Sequence, residues 1–506
     1  MRARCLTRAV GGNEGENMKH LLTKLAVAAP RVLGHLGSRA SSTQTGPYYQ
    51  AGERLSTLYP FNQRTFDSYY PLLRGMKIDE SELLPGRVLL MSSPRAIAMP
   101  PSEQHNPYEM VHMDDFKGEG AAQMAMWENL ALQATYRHIG VANIEKLMPR
   151  EQCPDGSYTR DTSRIVTKVK QSKEDPKKWE RLETVICLSP MTKAIRHPER
   201  DNIFGFYKEL FSFLGLGMLK NHSYADVPHS LDDPLNRIRF ETIRPEDGRF
   251  EFGDVRLSPF EPNPCFYAGL GSKVGPNGES LEPRSTIEGH KELQRRMGIP
   301  VISLQMADGV MQYHTDTLFG VLPGGFAYVY PGALTLESYA ILKARFGDKL
   351  IEMSEQDAKL FAGNAINVMG HYVVLPTEVS EAFCNTLREI GFDVIQVPAQ
   401  TNIFLGGASN CMTNKQATFV NPDGPLIIPG VQERQEKGVL GGLWVVTINP
   451  KKNLICLTQG GEVLKQLTIP QKREYSDPQV MLEFARATEV MTQHVKERCD
   501  RAAAVG

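Results

Sequence analysis

The stretch HYVVLPTEVSEAFCNTLREIGFDVIQVP, residues 371–398, contains the unit on which the fold prediction depends. HYVVLP (371–376) is a short β-branched run, which is typical of a strand. SEAFCNTLREIG (380–391) follows a Pro/Ser turn and has helical periodicity, and its terminal glycine suits the left-handed position after a helix. FDVIQVP (392–398) returns to the strand pattern. The stretch therefore predicts a strand, a turn, an amphipathic helix and a second strand.

The same rhythm occurs at four other places along the chain. They are VLLMSSP (88–94) before a helix pattern at 118–140, VICLSP (185–190) before 206–215, CFYAGL (265–270) before 290–298 and the strand PVISLQ (300–305), and AYVYPGAL (327–334) before 336–347. About five α/β units thus span residues 86–425. Repetition at this scale predicts a closed array in which each unit buries one face on its neighbours.

The composition is that of an ordinary globular chain and excludes several classes of protein. The 506 residues are 41% hydrophobic and 23% charged, with a net charge of −1. No overall basic field exists to attract nucleic acid or an anionic membrane surface, and no apolar run is long enough to span a bilayer. The 8 cysteines form no CxxC pair, which argues against a zinc finger or a disulfide scaffold and favours a reducing compartment.

The two ends of the chain differ from its middle. Residues 18–50 carry Lys and Arg, small residues and Ser/Thr but no acid, so residues 1–45 are predicted to be a mitochondrial transit peptide, a plastid one being less favoured. A disordered tail is the alternative. Residues 46–85 are interpreted as an ordered arm. Residues 426–506 form a predicted C-terminal extension with two strands within GGLWVVTINPKKNLICLTQGG and a final helix at 477–501.

Two segments in the second half of the chain carry candidate catalytic residues. In YHTDTLFG (313–320), His314 and Asp316 are two apart and would share one face of an extended strand. In GGASNCMTNKQ (406–416), Cys411 follows glycines that let the backbone bring a thiol close to a ligand. A cysteine without a CxxC partner and with a distant histidine is a candidate nucleophile, although a surface polar pair and an inert buried thiol are the alternatives.

Two acidic segments precede them in the chain. Asp161 lies at the head of an apolar strand in PDGSYTRDTSRIV (154–166), and Glu251 and Asp254 flank a glycine in FEFGDVRL (250–257). Each segment taken alone could be an ordinary turn.

Taken in order, these segments resemble motifs of the guanidine-modifying (pentein) superfamily, which includes arginine deiminases, dimethylarginine dimethylaminohydrolases and amidinotransferases. The matching segments are YTRD (158–161), AIRHPE (194–199), EFGDV (251–255), HTDT (314–317) and CMT (411–413). The resemblance covers residues 86–420. It implies a five-fold pseudosymmetric α/β propeller of ββαβ modules, here with N- and C-terminal extensions, and no cofactor or metal ion.

The resemblance also implies a role for each matching residue. Cys411 would be the nucleophile and His314 the general acid/base, with Glu251 as the acid that pairs with the histidine and with a guanidinium nitrogen. Asp161 and Asp316 would hold the guanidinium nitrogens, because opposed carboxylates give a planar cation paired, charge-assisted hydrogen bonds. A bound cation should in turn favour the thiolate of Cys411.

Three departures from the family pattern bear on the substrate. Arg196 matches an arginine that binds the substrate's α-carboxylate, but Lys273 stands where a second arginine is expected, and lysine lacks the bidentate fork. Gly406 occupies the position of an arginine that arginine deiminases have before the cysteine. Phe252 replaces the first glycine of EGGD, which could shift Glu251.

Three functions follow from the resemblance. The leading one is hydrolysis of arginine or a methylated arginine through a covalent amidino-thioether on Cys411. The second is transfer of the amidino group to an acceptor amine. The third is a catalytically idle structural subunit of an organellar assembly, for which the terminal extensions would serve as interfaces. The expected partners are a small guanidino substrate and either further copies of the chain or such an assembly, without nucleic acid or a membrane span.

Overall fold

The structure, a computed structural model, describes residues 59–92, 119–147, 158–190, 197–275, 278–449, 454–459 and 462–468. The predicted transit peptide, Arg196 and the helix predicted at 477–501 lie outside these residues. No helix in the described part is both long and apolar enough to cross a membrane.

Nine α-helices occur within the described residues, and the five helices of the repeating units lie where helical periodicity predicted them. The helices are α1 Gln63–Leu73, α2 Glu119–His138, α3 His197–Phe213, α4 Ile287–Met297, α5 Leu336–Phe346, α6 Glu355–Lys359, α7 Glu381–Glu389, α8 Gln400–Phe404 and α9 Pro429–Glu436. Helix α7 begins after Ser380, whose side chain accepts a hydrogen bond from the Phe383 N–H. Helix α4 ends at Gly298 in the left-handed conformation (φ 59°), as the glycine pattern predicted.

Most of the described strands have three to seven residues, and β5 is the longest of them with 11. They are β1 Lys77–Asp79, β2 Val88–Ser92, β3 Asn143–Leu147, β4 Ser163–Gln171, β5 Lys178–Leu188, β6 Ser230–Asp233, β7 Ile238–Thr242, β8 Val255–Ser258, β9 Cys265–Leu270, β10 Val301–Gln305, β11 Phe319–Leu322, β12 Phe326–Val329, β13 Leu350–Glu352, β14 Ile366–Val368, β15 Tyr372–Pro376, β16 Asp393–Val397, β17 Asn414–Lys415, β18 Phe419–Val420, β19 Leu443–Asn449, β20 Leu454–Gln459 and β21 Glu462–Thr468.

Within the described residues these strands form five sheets that share one pattern. In each sheet a first strand runs antiparallel to a second, and the second runs parallel to a third that follows a helix. The triplets are β17–β2–β3 with α2, β4–β5–β7 with α3, β8–β9–β10 with α4, β11–β12–β13 with α5, and β14–β15–β16 with α7. The fold is therefore a mixed α/β fold, as predicted. The five-fold propeller in which such ββαβ units would be arranged stays a prediction.

The two ends of the repeating region meet in one sheet. Asn414 and Lys415 of β17 pair with Leu90 and Leu89 of β2. The first strand of this sheet thus comes from the C-terminal side of the repeats and its other two strands from the N-terminal side. This pairing brings the segment that contains Cys411 next to the beginning of the repeating region.

The predicted extensions pack on the same body, and the domain boundaries stay predictions. Tyr69, Leu72 and Leu73 of α1 are buried in the largest hydrophobic cluster. Strand β19 pairs parallel with β16, and β20 and β21 continue that sheet. The two strands expected at the C-terminus are thus present, and β21 is a third that the sequence analysis did not predict.

Four first strands are preceded by a short 3₁₀ turn that carries polar residues. These turns are Thr159–Asp161 before β4, Phe252–Asp254 before β8, Thr315–Thr317 before β11 and Ala362–Asn364 before β14. The expectation that His314 and Asp316 lie in one extended strand is wrong. The Thr317 amide and hydroxyl both donate to the His314 carbonyl, at 3.1 and 2.7 Å, and this local bonding closes a turn.

Candidate active site

The five polar residues singled out in the sequence occupy one buried cluster. Exposure is 0% for Glu251, His314 and Asp316, 1% for Cys411 and 3% for Asp161. Carboxylates, an imidazole and a thiol are seldom buried without partners, because their desolvation is costly. The contacts that compensate for this burial define two halves of the cluster, one around the thiol and one around the imidazole.

In the first half, the Cys411 thiol lies beside a carboxylate and an amide. Its Sγ is 3.5 Å from Asp316 Oδ2, and Asn364 Nδ2 donates to Sγ at 3.0 Å. Asn410 donates to Asp316 Oδ2 at 2.7 Å and fixes the carboxylate. A cation bound by Asp316 would therefore lie against the sulfur atom.

Asn364 organises the backbone on which the thiol is placed. Its Oδ1 accepts from the N–H groups of Ala408, Asn410 and Cys411 at 3.2, 3.1 and 3.1 Å. Its Nδ2 also donates to the Asp316 carbonyl at 3.1 Å. One side chain thus joins the turn before β14, the turn before β11 and the cysteine loop. Asn364 was not predicted from the sequence, because AGN (362–364) has no marked pattern.

In the second half, the imidazole pairs with an acid and an arginine. His314 Nε2 is 2.9 Å from Glu251 Oε2, which agrees with the pairing that the family resemblance implied. Arg284 Nη1 donates to the same Oε2 at 3.1 Å and lies 3.5 Å from His314 Nε2. The guanidinium of Arg284 also covers the Tyr313 ring, 4.6 Å from its centroid. Arg284 is buried, with 7% exposure, and belongs to the site.

Arg284 was not predicted from the sequence either, because the second arginine of the family pattern was matched to Lys273, which is closer to EFGDV. Lys273, the residue chosen there, lies exposed in the loop after β9, where its backbone N–H donates to Asp308 at 3.1 Å. A signal was available in Arg284-Ser285-Thr286, an arginine followed by hydroxyl residues. The role assigned to Lys273 stays a prediction, and so does that of Arg196.

Asp161 and the turn at 252–254 complete the second half. A side chain at Gly253 would overlap the His314 imidazole and lie 2.7 Å from Asp161 Oδ1, so only glycine fits between them. Phe252 is buried in a hydrophobic cluster, 5.3 Å from Phe250 between ring centroids. The residue that departs from the family pattern therefore faces the core.

Asp254 ties this turn to its neighbours. Its Oδ2 accepts from the Ser285 hydroxyl at 2.5 Å and its Oδ1 from the Thr315 amide at 3.2 Å. Burial, against the opposing charge of His314, raises the pKa of Asp254 to about 7. Asp254 thus connects its own turn, 252–254, with the turn 315–317 that follows His314 and with Ser285.

The side chains of Asp161, Glu251 and His314 could also hold a metal ion. One atom each of Asp161, Glu251 and His314 lie within 4.8 Å of one another. A His/Asp/Glu set is a donor set that zinc accepts. A guanidinium ion would meet the same two carboxylates, so a metal ion and a guanidino compound would compete for this position.

The charges of the cluster decide the protonation of its two reactive groups. Burial, with the carboxylates of Asp316 and Asp161, raises the pKa of the Cys411 thiol well above its usual value. Burial lowers the pKa of His314, but Asp254, Asp161 and the hydrogen bond to Glu251 outweigh burial and raise the pKa overall. With the site free of ligand, the expected state is a neutral thiol beside a protonated imidazole.

No protein-family model matches the chain, but individual proteins do. Two are bifunctional arginine dihydrolase/ornithine cyclodeaminases. AgrE of a Nostoc species is 34% identical over 131 residues, 26% of this chain and 18% of that protein. ArgZ of a Synechocystis species is 33% identical over 141 residues, 28% of this chain and 20% of that protein. The dimethylarginine dimethylaminohydrolase of Mycobacterium tuberculosis is 32% identical over 130 residues, 26% of this chain and 42% of that protein. The matched segments thus span about a fifth of the two cyanobacterial proteins.

Solved structures resemble the larger part of the chain. AgrE in complex with ornithine and NAD⁺ has a TM-score of 0.50 at 22% identity, over 66% of this chain and 40% of that one. The N-terminal domain of ArgZ with its product has a TM-score of 0.49 at 22% identity, over 66% of this chain and 98% of that one. At this level of identity the likeness concerns the fold alone.

Proposed function

We propose that this chain hydrolyses the guanidinium group of arginine or of a methylated arginine, with Cys411 as nucleophile. Its similarity to two arginine dihydrolases and a dimethylarginine dimethylaminohydrolase supports the proposal. The observation that carries the proposal is the placement of a thiol 3.5 Å from Asp316 in the same buried cluster as the His314–Glu251 pair. The cluster thus holds a nucleophile, an acid/base and carboxylates for a cation.

Binding comes first in the proposed reaction. A guanidinium ion is planar and delocalised, and carboxylates on two sides can hold its nitrogens in fixed geometry. Asp161 and Asp316 would supply those carboxylates from the turns before β4 and β11. They would hold the central carbon at attack distance from Sγ, which removes most of the entropic cost of the encounter.

The bound cation would also change the nucleophile. The carboxylates that raise the pKa of Cys411 would be neutralised by the guanidinium, so the pKa of the thiol falls when substrate binds and its proton is released to solvent. The thiolate then attacks the guanidinium carbon and forms a tetrahedral adduct. His314, already protonated, donates its proton to the departing amine, which leaves as ammonia or an alkylamine.

Water completes the reaction. The covalent thiouronium on Cys411 retains the rest of the amino acid. A water molecule that loses one proton to His314 attacks the same carbon. The C–S bond then breaks, and the sulfur leaves with the remaining hydroxyl proton as the neutral thiol, which leaves the ureido carbonyl of citrulline. The balanced result is arginine plus water giving citrulline plus ammonia, or the corresponding alkylamine from a methylated arginine.

The experiment offers the purified protein three sets of compounds, which are arginine, methylated arginines, and arginine with glycine. We expect citrulline with the first two and, in quenched samples, a mass adduct on Cys411 that equals the substrate without its departed amine. Cys411→Ala should lower turnover by about a thousand-fold or more. Cys456→Ala changes a partly exposed cysteine of β20 and serves as the matched control, with turnover within about twofold of the unchanged protein.

Other results would replace the proposal. Ornithine with an amidino-glycine product, seen only when both arginine and glycine are present, would assign an amidinotransferase. No product and no adduct with any guanidine would favour the third function, that of a structural subunit.

Two further proposals concern the fold and the location of the protein. We propose that the five ββαβ sheets form the predicted propeller, and that the N-terminal residues direct import into mitochondria. An import assay with residues 1–45 fused to a reporter tests the second.

A further inference from the structure

A polar cavity lies next to the buried cluster that contains Cys411, since Asn410 belongs to its wall. Its volume is about 60 Å³. The first strand of each of the five sheets contributes at least one residue to its wall. These residues include Arg164, Arg256, Val321, Asn367 and Lys415. The rest of the wall includes apolar side chains such as Phe260 and Phe419.

The cavity is strongly basic. Arg160, Arg164, Arg256 and Lys415 line it, and none of these four forms an ion pair with a carboxylate in the described part of the chain. Exposure is 2% for Arg160, 4% for Arg164 and 7% for Arg256, and Lys415 is half-buried. Buried cations normally have a counter-charge, because their desolvation is otherwise not compensated.

The hydrogen bonds of these cations leave donors to spare. Arg160 Nη2 and Arg164 Nη2 share one acceptor, the Val255 carbonyl, at 2.8 and 3.3 Å. Arg160 Nη1 and Arg164 Nε are buried without a partner. A native protein seldom leaves such donors unsatisfied, so they indicate a missing acceptor.

The cations also affect one another. Burial, together with the charges of Arg256 and Arg160, lowers the pKa of Lys415 to about 7. Burial and Arg256 likewise lower the pKa of Arg160 to about 10. An anion among them would reverse this mutual repulsion.

We propose that this cavity binds a phosphate group, held by Arg160, Arg164, Arg256 and Lys415. A phosphate carries between one and two negative charges near neutral pH and several acceptor oxygens, which suits guanidinium donors that converge from different strands. A cavity of this size suits a small tetrahedral anion. The group can therefore be inorganic phosphate or the end of a small phosphate ester.

The proposed site is separate from the guanidine site, although the two are neighbours. Asn410 lines the cavity, accepts from Arg256 Nη1 at 2.7 Å and donates to Asp316 Oδ2. Asp316 and Asp161 belong to the cluster around Cys411. Their charges act on Arg160 and raise its pKa, but neither forms an ion pair with any of the four cations in the described part of the chain. The inference therefore holds whether or not the chain is a hydrolase.

The test measures binding to the full chain after exhaustive removal of phosphate. Calorimetric titration with inorganic phosphate should give saturable binding, and phosphate should raise the melting temperature in a concentration-dependent way that sodium chloride at equal ionic strength does not reproduce. Glycerol phosphate in a parallel arm distinguishes the two sources, since only a site open to esters binds it as well as the free ion.

Variants then place the binding in the cavity. Arg164→Gln should weaken phosphate binding by about tenfold or more, since a buried charge-assisted contact is lost. Arg295→Gln, which changes a largely exposed arginine of α4, should leave it unchanged within about twofold. If Arg164→Gln does not fold, Lys415→Met provides the same comparison. Equal effects of phosphate and chloride on the unchanged protein, or full phosphate binding in Arg164→Gln, would overturn the proposal.

Discussion

At the scale of single residues, the placement of Cys411 depends on one amide oxygen. Asn364 Oδ1 accepts three backbone N–H groups of the cysteine loop, and Asn364 is itself fully buried. A loop carries few hydrogen bonds of its own, so it needs such an acceptor to hold one conformation. The nucleophile is thereby positioned by a residue that does not itself need to react.

Asn364→Ala should therefore lower both stability and turnover. The buried N–H groups of Ala408 and Cys411 lose their acceptor, while that of Asn410 keeps the backbone carbonyl of residue 364; we expect a cost of about 2–3 kcal/mol in the free energy of unfolding. Turnover should fall on the order of 100-fold, because Sγ is no longer held at attack distance. Denaturant titration and citrulline assays measure the two effects.

Asn385→Ala is the matched control, since it removes an amide from the surface of α7 that contacts only Arg388 in the described bonds. Its effect should stay within about 0.5 kcal/mol. Unchanged turnover in Asn364→Ala would show that the loop holds its conformation by other means.

Asp254 should make the stability of the protein depend on pH. Its pKa is raised from 3.8 to about 7 on folding, so the native state binds a proton that the unfolded state does not between these values. The stabilisation of the protonated form is complete below the unfolded value and is lost as pH rises towards 7. The free energy of unfolding should therefore fall by about 1.4 kcal/mol per pH unit between about pH 5 and 6, and less steeply as the pH approaches 7.

Asp254→Asn should remove the contribution of Asp254 to this slope, because an amide does not titrate; buried groups such as Glu378, whose pKa is also raised to about 7, contribute equally in both proteins. Urea titrations of both proteins at pH 5, 6, 7 and 8 give the difference in unfolding free energy at each pH. Parallel curves for the two proteins would mean that Asp254 is ionised in the native state throughout this range.

At the scale of secondary-structure elements, the 3₁₀ turns before the first strands place the polar groups. Each turn ends close to the beginning of a strand, so its side chains are held at one end of a sheet. The turn 252–254 fits against two site residues only because Gly253 has no side chain.

Gly253→Ala should accordingly reduce turnover by 100-fold or more, by displacing His314 and Asp161. Gly430→Ala in α9 is the control, because a methyl group there meets nothing within 4 Å. It should stabilise the protein by about 0.5 kcal/mol through the unfolded state, with unchanged turnover. A fully active Gly253→Ala protein, folded by circular dichroism, would contradict the close packing of this turn.

The elements that could be predicted are those whose signal is local. Helix α7 and strands β15 and β16 have their periodicity within 371–398, and the structure confirms all three. The turn 315–317 was predicted as a strand, because alternation of polar residues does not reveal a carbonyl that accepts two bonds from Thr317. Arg284 and Asn364 were missed for a related reason, since their partners lie far away in the sequence.

At the scale of the whole molecule, the C-terminal strands share a hydrophobic cluster with the nucleophile. Val446, Ile455 and Leu457 of β19 and β20 are buried in the cluster that also contains Cys411 and Met412. The sequence predicted these two strands but not their place, because nothing local specifies that β19 pairs with β16. The family resemblance ends near residue 420 and so predicts nothing about β19 and β20.

Leu457→Ala should destabilise the protein by about 2–5 kcal/mol, as expected when a buried leucine leaves a cavity. Leu440→Ala is the matched control, because Leu440 is 61% exposed and its loss should cost less than about 0.5 kcal/mol. Thermal melts compare the two variants. Equal stability would mean that β20 packs too loosely to support the cluster.

The pairing of β17 with β2 has a consequence for biosynthesis. The hydrogen bond from Thr159 to Met412 spans 253 residues, and β17 meets β2 across an even longer stretch. Such contacts form late, because closing a long loop must precede them, and folds rich in them are slow. While the chain leaves the ribosome, Cys411 emerges long after Asp161, so the buried cluster can be complete only after most of the repeating region has been synthesised. Until β17 pairs with β2, we expect the Cys411 thiol to be exposed to solvent and open to oxidation. Reducing conditions and chaperones should therefore affect the yield of folded protein most during that interval.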